Sequence, residues 1–196
     1  MASVIISGDT SGTVTLSAPT VAGSTTQTLV AATGTLAPIV NGTAVTATTV
    51  FPLDFTSIPS WAKKITVMFA GASPSLADWL VINLGTSGGI VATGYLGSAF
   101  ITTTSGITAM SNSTAINIYN NSNSGADIFH GSVVLSLLNP ATNTWTAMGL
   151  VSKSNNLVMS YVTGSISLAS ALTQVRVTTS GGTGSLDAGS INIMYE

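Results

Sequence analysis

The sequence of 196 residues contains no cysteine and very little charge. Charged residues make up 5% of the chain, whereas they make up about 25% of an ordinary globular protein. The missing thiols exclude disulfides and thiolate sites, which fits assembly in a reducing cytoplasm. The scarcity of ionisable side chains removes most of the groups that catalysis uses, so we expect this protein not to be an enzyme.

The few charges also limit the partners of the chain. Its basic residues are Lys63, Lys64, Lys153 and Arg176, and its net charge is −2. A nucleic-acid phosphate backbone is bound by several Lys or Arg side chains in one patch, so no nucleic-acid partner is expected. The apolar runs, such as residues 133–138, are far shorter than the roughly 18 residues of a membrane helix, so no membrane partner is expected either.

What the chain does contain is 45% hydrophobic residues, enough to offset the entropy lost on folding. Thr, Ser, Asn and Gly fill most positions between the apolar residues and give the chain a neutral surface. Burying hydroxyls costs far less than burying unpaired charges. We therefore expect much of this surface to be covered in a homo-oligomer.

The chain divides near residue 54. Residues 10–53 contain no charged side chain, and within them residues 13–17 and 26–30 alternate polar and apolar positions as half-buried strands do. Strands with so few large side chains bury too little area to form a core alone. Residues 1–54 are therefore predicted to be an extended, β-rich attachment arm.

Residues 55–196 are predicted to form an antiparallel, jelly-roll-like β-sandwich. β-branched residues dominate, and turn signals separate the predicted strands. The turn at residues 139–143 is predicted to join two of these strands as a hairpin. One helical turn is predicted at residues 168–172. The predicted strands are residues 65–70, 79–84, 89–93, 99–103, 115–119, 132–138, 144–152, 157–161, 174–179 and 190–195.

His130 and Asp127 are the one pair that could suggest a general base and its orienting carboxylate. A triad also needs a nucleophile that the fold positions. Serines are so common here that a nearby one has no weight, and no Gly-x-Ser-x-Gly elbow is present. We interpret His130 as a turn or interface residue and predict no catalytic residue.

Other site chemistries find equally little support. The loop at residues 121–127 resembles a calcium loop only loosely, because it lacks the two or three carboxylates and the closing Glu, and it is predicted to be a turn. Glycoside hydrolysis needs two facing carboxylates, but Asp54, Asp78, Asp127 and Asp187 are far apart in the sequence. No cofactor-binding or metal-binding residue is predicted.

The large aromatic residues allow two interpretations. On an exposed face they could stack on sugars, whereas inside the sandwich they would supply most of the burial in so charge-poor a chain. The second interpretation is favoured. The residues concerned are Trp61, Trp79, Trp145, Tyr95, Tyr119, Tyr161 and Tyr195.

Four segments resemble tailed-bacteriophage virion proteins. At the N-terminal end these are ISGDTSGTVTLSAP over residues 6–19 and AATGT over residues 31–35. In the rest of the chain, IPSWAKKITVMF over residues 58–69 and DAGSINIMYE over residues 187–196 are similar to segments of phage structural proteins of about this size. These motifs are repetitive, so they indicate a class of virion proteins, and no functional residue can be transferred from them.

The resemblance implies a viral structural protein of capsid-decoration, head-fibre or tail-fibre type, a homotrimer anchored to capsid or tail proteins through its N-terminal arm. Its location would be the virion, assembled in the host cytoplasm. An alternative function is a carbohydrate-binding module of a tail fibre, with a host-surface glycan as partner. Whether the chain belongs to capsid or tail is left open by the sequence.

Overall fold

A computed structural model describes residues 3–7, 13–17, 37–118 and 125–196. The chain divides into two compact units, Met1–Leu36 and Ala37–Glu196. In the first unit, β1 (Ser3–Ser7) and β2 (Thr13–Ser17) form an antiparallel hairpin. The predicted strand at residues 13–17 is thus confirmed, whereas the one at residues 26–30 lies outside the described residues.

The second unit is an all-β sandwich of two antiparallel sheets. The larger sheet has ten strands: β3 (Val40–Asn41), β4 (Val45–Thr46), β5 (Thr49–Val50), β7 (Lys64–Pro74), β10 (Leu96–Thr103), β11 (Gly106–Ser111), β13 (Phe129–Asn139), β14 (Thr144–Lys153), β15 (Val158–Ser167) and β17 (Ser185–Tyr195). The smaller sheet has five: β6 (Leu53–Phe55), β8 (Leu80–Thr86), β9 (Gly89–Ile90), β12 (Ile116–Asn117) and β16 (Gln174–Thr179).

Strand order confirms the predicted antiparallel β-sandwich. The larger sheet runs β11-β10-β15-β14-β13-β7-β17-β3, with β4 and β5 also paired to β17, and the smaller runs β12-β8-β16-β6, with β9 on β8. The chain repeatedly crosses between the sheets, for example from β7 to β8 and from β15 to β16. Among the described residues there is no helix, and therefore none long and apolar enough to cross a bilayer.

The core lies between the two sheets because each strand places alternate side chains inward. On β7, Ile65 and Val67 are fully buried, and on β8 Ile82 and Leu84 face them from the smaller sheet. The hydroxyl of Ser160, also fully buried, donates to the Ile118 carbonyl oxygen at 2.5 Å. Buried polar groups of this kind need such a partner.

The compact unit begins well before the predicted boundary at residues 54 and 55. That boundary falls inside β6, where Leu53 and Phe55 are buried in the core, together with Phe51 just before it. Residues 37–50 lie along β17 through β3, β4 and β5. The part of the predicted arm at residues 18–36 lies outside the described residues.

Two further predictions concern the turns. The hairpin at residues 139–143 is confirmed, since β13 and β14 pair antiparallel up to Asn139 and Thr144. The helical turn at residues 168–172 is wrong: the chain bends there without a helix. Leu168 and Leu172 are both buried, so tertiary burial of these leucines overrides their local helix preference.

Candidate assembly face

Most charged side chains of the described part form ion pairs or turn contacts within the fold. Arg176 on β16 binds Asp54 on β6 through two hydrogen bonds, Nε to Oδ1 at 2.6 Å and Nη2 to Oδ2 at 2.7 Å. This contact raises the pKa of the Arg176 guanidinium. Lys64 pairs with Glu196 at 2.5 Å, so each of these pairs links separate segments of the sandwich.

Asp78 forms hydrogen bonds with the turn that connects β16 of the smaller sheet to β17 of the larger sheet. Its carboxylate accepts hydrogen bonds from the Ser180 hydroxyl at 2.5 Å, the Gly181 N–H at 2.7 Å and the Trp79 N–H at 2.7 Å. Partial burial raises its pKa, but these hydrogen bonds together outweigh that effect, and the pKa of Asp78 is lowered from its usual value. A carboxylate held in this way stabilises a turn.

Asp127 and His130, the pair considered for general-base chemistry, have separate partners. Asp127 is buried and forms an ion pair with Lys153, Oδ2 to Nζ at 2.7 Å, with both side chains less than 10% exposed. His130 is exposed, and its Nδ1 accepts a hydrogen bond from the Gly71 N–H at 3.3 Å. The ion pair connects the start of β13 to the end of β14.

The calcium-like loop falls mostly on residues 121–124, which lie outside the described residues. Its last member, Asp127, is the carboxylate paired with Lys153. Within the described ranges no group of three or more His, Cys, Asp or Glu side chains could hold a metal ion. The absence of a metal site remains a prediction for the whole chain.

The aromatic residues are distributed between the core and one outer surface. Tyr95 and Trp145 are buried, and burial raises the pKa of Tyr95, whose hydroxyl donates to the Val91 carbonyl oxygen at 2.9 Å. Trp61 and Tyr195 are partly buried against the core, with ring centroids 5.6 Å apart. Trp79 is half-buried, and Tyr119 lies outside the described residues.

Tyr161 is different, because it lies on the outside of the larger sheet. It stacks there on Phe100 from the neighbouring strand, with ring centroids 4.9 Å apart and the planes 20° from parallel. Phe100 is 37% exposed. For Tyr161 the core interpretation is therefore wrong.

This stacked pair belongs to a continuous apolar surface, which we call the outer face. It crosses the strands β10, β15, β14, β13 and β7. Phe100 is opposite Tyr161, Tyr161 is opposite Leu150, and the same row continues through Ser132 to Met68. In the adjacent row, Met148 is opposite Val134. The apolar residues of the outer face are Phe100, Tyr161, Leu150, Met148, Val134, Met68 and Met159.

The centre of the outer face is exposed, and the described residues that line it include no Lys, Arg, Asp or Glu side chain. Lys64, paired with Glu196, lies on the same side of β7 at the end of the sheet. Met148 is 71% exposed and Leu150 44% exposed. Ser132, Thr163 and other hydroxyl residues lie between the apolar ones, and the centre is a shallow depression of about 370 Å³. Five strands and about five residues along each give an area on the order of 400 Å². This area, which includes the hydroxyl residues, lies in the range of the largest apolar patches on monomeric proteins, and such patches are often functional.

Consecutive apolar residues in two strands indicate the outer face in the sequence, although simple polar–apolar alternation does not. In β13 the successive residues Val133, Val134 and Leu135 are all apolar, and in β14 Leu150 and Val151 are adjacent. Because side chains alternate between faces, such runs place apolar groups on both sides of the sheet. Such runs are typical of strands that are covered on both faces, so they favour a partner on the outer face.

A polar groove of about 340 Å³ lies on the outside of the smaller sheet. Its amides are engaged within the protein: Asn83 Nδ2 donates to the Thr114 carbonyl oxygen at 2.8 Å, and Asn112 Nδ2 donates to Asn117 Oδ1 at 2.7 Å. None of the described residues that line the groove is aromatic. These amides hold the segments that cross the sheet, and the groove lacks a stacking platform for a sugar.

Comparisons with known proteins add no neighbour. No family model matches the chain, no curated protein resembles it in sequence, and no solved structure resembles it in fold. The outer face, its lack of charge and the structural use of the ion pairs therefore carry the functional argument.

Proposed function

We propose that this chain is a structural subunit of a bacteriophage particle. It decorates or projects from the particle surface as a homo-oligomer and is anchored through its N-terminal arm. The observation that carries this proposal is the outer face, where Phe100, Met148 and Leu150 are exposed without a charged neighbour on the face. Contact with another copy would remove these side chains from water at little desolvation cost.

The use of the charged groups supports a structural role over a catalytic one. Asp54, Asp78 and Asp127 each have a partner in a different part of the sandwich. Catalysis requires titratable groups that converge on a substrate. These three carboxylates instead hold strands and turns together, as expected for a rigid building block.

The phage assignment is supported by the four sequence segments that resemble virion proteins, and these also favour a trimer. A trimer closes through one head-to-tail contact repeated three times, in which the outer face of one copy would meet a different surface of the next. Partners in the particle would be capsid or tail proteins. The site of attachment on the particle is the open part of this proposal.

The anchoring role is tested by deleting residues 1–36. The deletion stops there because Phe51, Leu53 and Phe55 belong to the core and residues 40–50 pair with β17. We expect the shortened chain to keep its β-sheet circular dichroism and its thermal unfolding, but to be missing from particles assembled with it. Incorporation equal to that of the full chain would contradict the anchoring role.

A further inference from the structure

The four edges of the two sheets differ in how well they are protected against strand addition. Exposed edges invite pairing with another chain, and proteins block them with short strands, charges, proline or irregular backbone. The edge formed by β3, β4 and β5 consists of two-residue pieces, with Thr48 at a φ of 77° between the last two. In the smaller sheet, β12 has two residues, and β6 has three with Asp54 at its centre.

The fourth edge, β11, has none of these protections. It is six residues long, Gly106–Ser111, and contains neither charge nor proline. Five of its residues are exposed, and Ile107 is 72% exposed. Among the described strands, β10 is its one neighbour in the larger sheet.

The hairpin geometry determines which backbone groups of β11 are free to pair outward. Thr103 and Gly106 flank the two-residue turn that joins β10 to β11 and are paired with each other. In a two-residue hairpin this flanking pair is hydrogen bonded, and hydrogen-bonded pairs then alternate along the strands. The N–H and C=O groups of Ile107, Ala109 and Ser111 therefore point away from β10.

We propose that β11 pairs with β11 of a second copy of this chain, antiparallel about a twofold axis at Ala109. In this register Ala109 is opposite Ala109, and Ile107 is opposite Ser111, so the outward backbone groups satisfy one another. With no charge on β11, no like charges meet across the axis. The two larger sheets become one continuous sheet.

Continuity with the outer face is the second argument for a copy of the same chain. Ala109 is opposite Phe100 on β10, and Ile107 is opposite Thr102, so β11 extends the outer face at its edge. The twofold pairing joins two outer faces into one apolar surface. This inference rests on the proposed function, because it names one contact through which the subunits assemble. Combined with the threefold contact of a trimer, a twofold contact at β11 gives a closed assembly of six subunits.

The absence of cysteine allows a clean cross-linking test. Residues of a hydrogen-bonded antiparallel pair have Cα atoms about 5.5 Å apart, within the range that a disulfide bridges. We expect the Ala109→Cys chain, mildly oxidised at micromolar concentration, to form a covalent dimer on a non-reducing gel. The matched control is Ala141→Cys in the exposed β13–β14 turn, which should be labelled by maleimide but remain a monomer on the gel.

Light scattering on the same Ala109→Cys protein, kept reduced, distinguishes a failure of the β11 pairing from a failure of the proposed homo-oligomer. An oligomer that gives no more disulfide dimer than the Ala141→Cys control would overturn the β11 pairing and leave the proposed function intact. A monomer at all concentrations would count against the proposed homo-oligomer itself. Cross-linking at residue 109 together with an oligomeric mass supports both.

Discussion

Phe100 and Tyr161 stack with their ring centroids 4.9 Å apart on a surface that faces away from the core. A stacked aromatic pair is ordinarily found where water is excluded, and such pairs contribute about 0.5–1.5 kcal/mol beyond their burial. Here the pair lies on the outer face with Phe100 37% exposed. The pair therefore packs two neighbouring strands together and also belongs to the surface that we propose as the contact between subunits.

Phe100→Ala should weaken assembly more than folding. The substitution removes the stacking partner of Tyr161 and part of the outer face, but it leaves the inward side chains of β10, Ala99 and Ile101, in the core. We expect the free energy of unfolding of the isolated subunit to fall by about 1 kcal/mol and the dissociation constant of the oligomer to rise at least about tenfold. Sedimentation velocity over a concentration series measures the second effect, and an unchanged constant would contradict it.

Lys153→Met should be strongly destabilising. It leaves the buried carboxylate of Asp127 without its cationic partner, and breaking a buried pair costs about 3–5 kcal/mol. Urea unfolding followed by tryptophan fluorescence measures the loss. Adding Asp127→Leu to Lys153→Met should recover much of it, because the uncompensated charge is then gone.

The matched control for the buried pair is Lys64→Met. Lys64 pairs with Glu196 where the two side chains are 48% and 34% exposed, and exposed pairs contribute less than about 1 kcal/mol. Equal losses for Lys64→Met and Lys153→Met would show that burial does not govern the strength of these pairs.

Gly189→Ala tests the irregular pairing of β17 with β7. Gly189 has a φ of 69°, and a Cβ atom there would lie 2.1 Å from the Gly71 carbonyl oxygen. We expect a loss of roughly 3 kcal/mol in the free energy of unfolding, from backbone strain and the clash together. Gly182→Ala has the same φ of 69° with nothing within 4 Å, so it should lose only about 1 kcal/mol. Equal losses would exclude the clash as a cause.

Asp78→Asn should be destabilising at neutral pH and nearly neutral in acid. The lowered pKa of Asp78 means that its carboxylate stabilises the fold above the pKa of the unfolded chain, about 3.9. That stabilisation is lost as the pH falls through the lower pKa of the folded state. We expect a difference of about 1 kcal/mol between the proteins at pH 7, since the group is only partly buried, and little difference near pH 2.

Urea unfolding at both pH values measures this difference, with Asp187→Asn as the control. Asp187 is exposed on β17, and a substitution there should change the free energy of unfolding by less than about 0.5 kcal/mol. A gap between Asp78→Asn and the unchanged protein that persisted at low pH would mean that the charged form of Asp78 is not its source.

The sequence predicts the fold well because its signals are local and repeated. Alternation in β7 and β16, and the Asn-Pro-containing turn after β13, identify strands and a hairpin that the structure confirms. β11 was missed, since Gly106 and three further small or polar residues give it little strand character. The helical turn predicted from Leu168 and Leu172 was wrong because these side chains are buried by contacts distant in sequence, which a local pattern does not contain.

The candidate site was less accessible from the sequence. Tyr161 was interpreted as a core residue because aromatic burial is the common outcome, and only strand register places it opposite Phe100 on the outside. The ion pair of Asp127 and Lys153 joins residues 26 positions apart, and no motif indicates it. By contrast, the scarcity of charge was visible at once, and no described charged side chain lines the centre of the outer face.

The central claim is that the outer face is covered by another copy of the chain, and light scattering on the Met148→Lys/Leu150→Lys protein tests it most directly. The control is Val50→Lys. Val50 is 69% exposed and lies on β5, near the edge of the larger sheet opposite β11. We predict an oligomeric mass for the unchanged protein and for Val50→Lys, and a smaller mass, no more than the β11-paired dimer, for the double variant with its β-sheet circular dichroism retained. An oligomer of unchanged mass in the double variant would contradict the account.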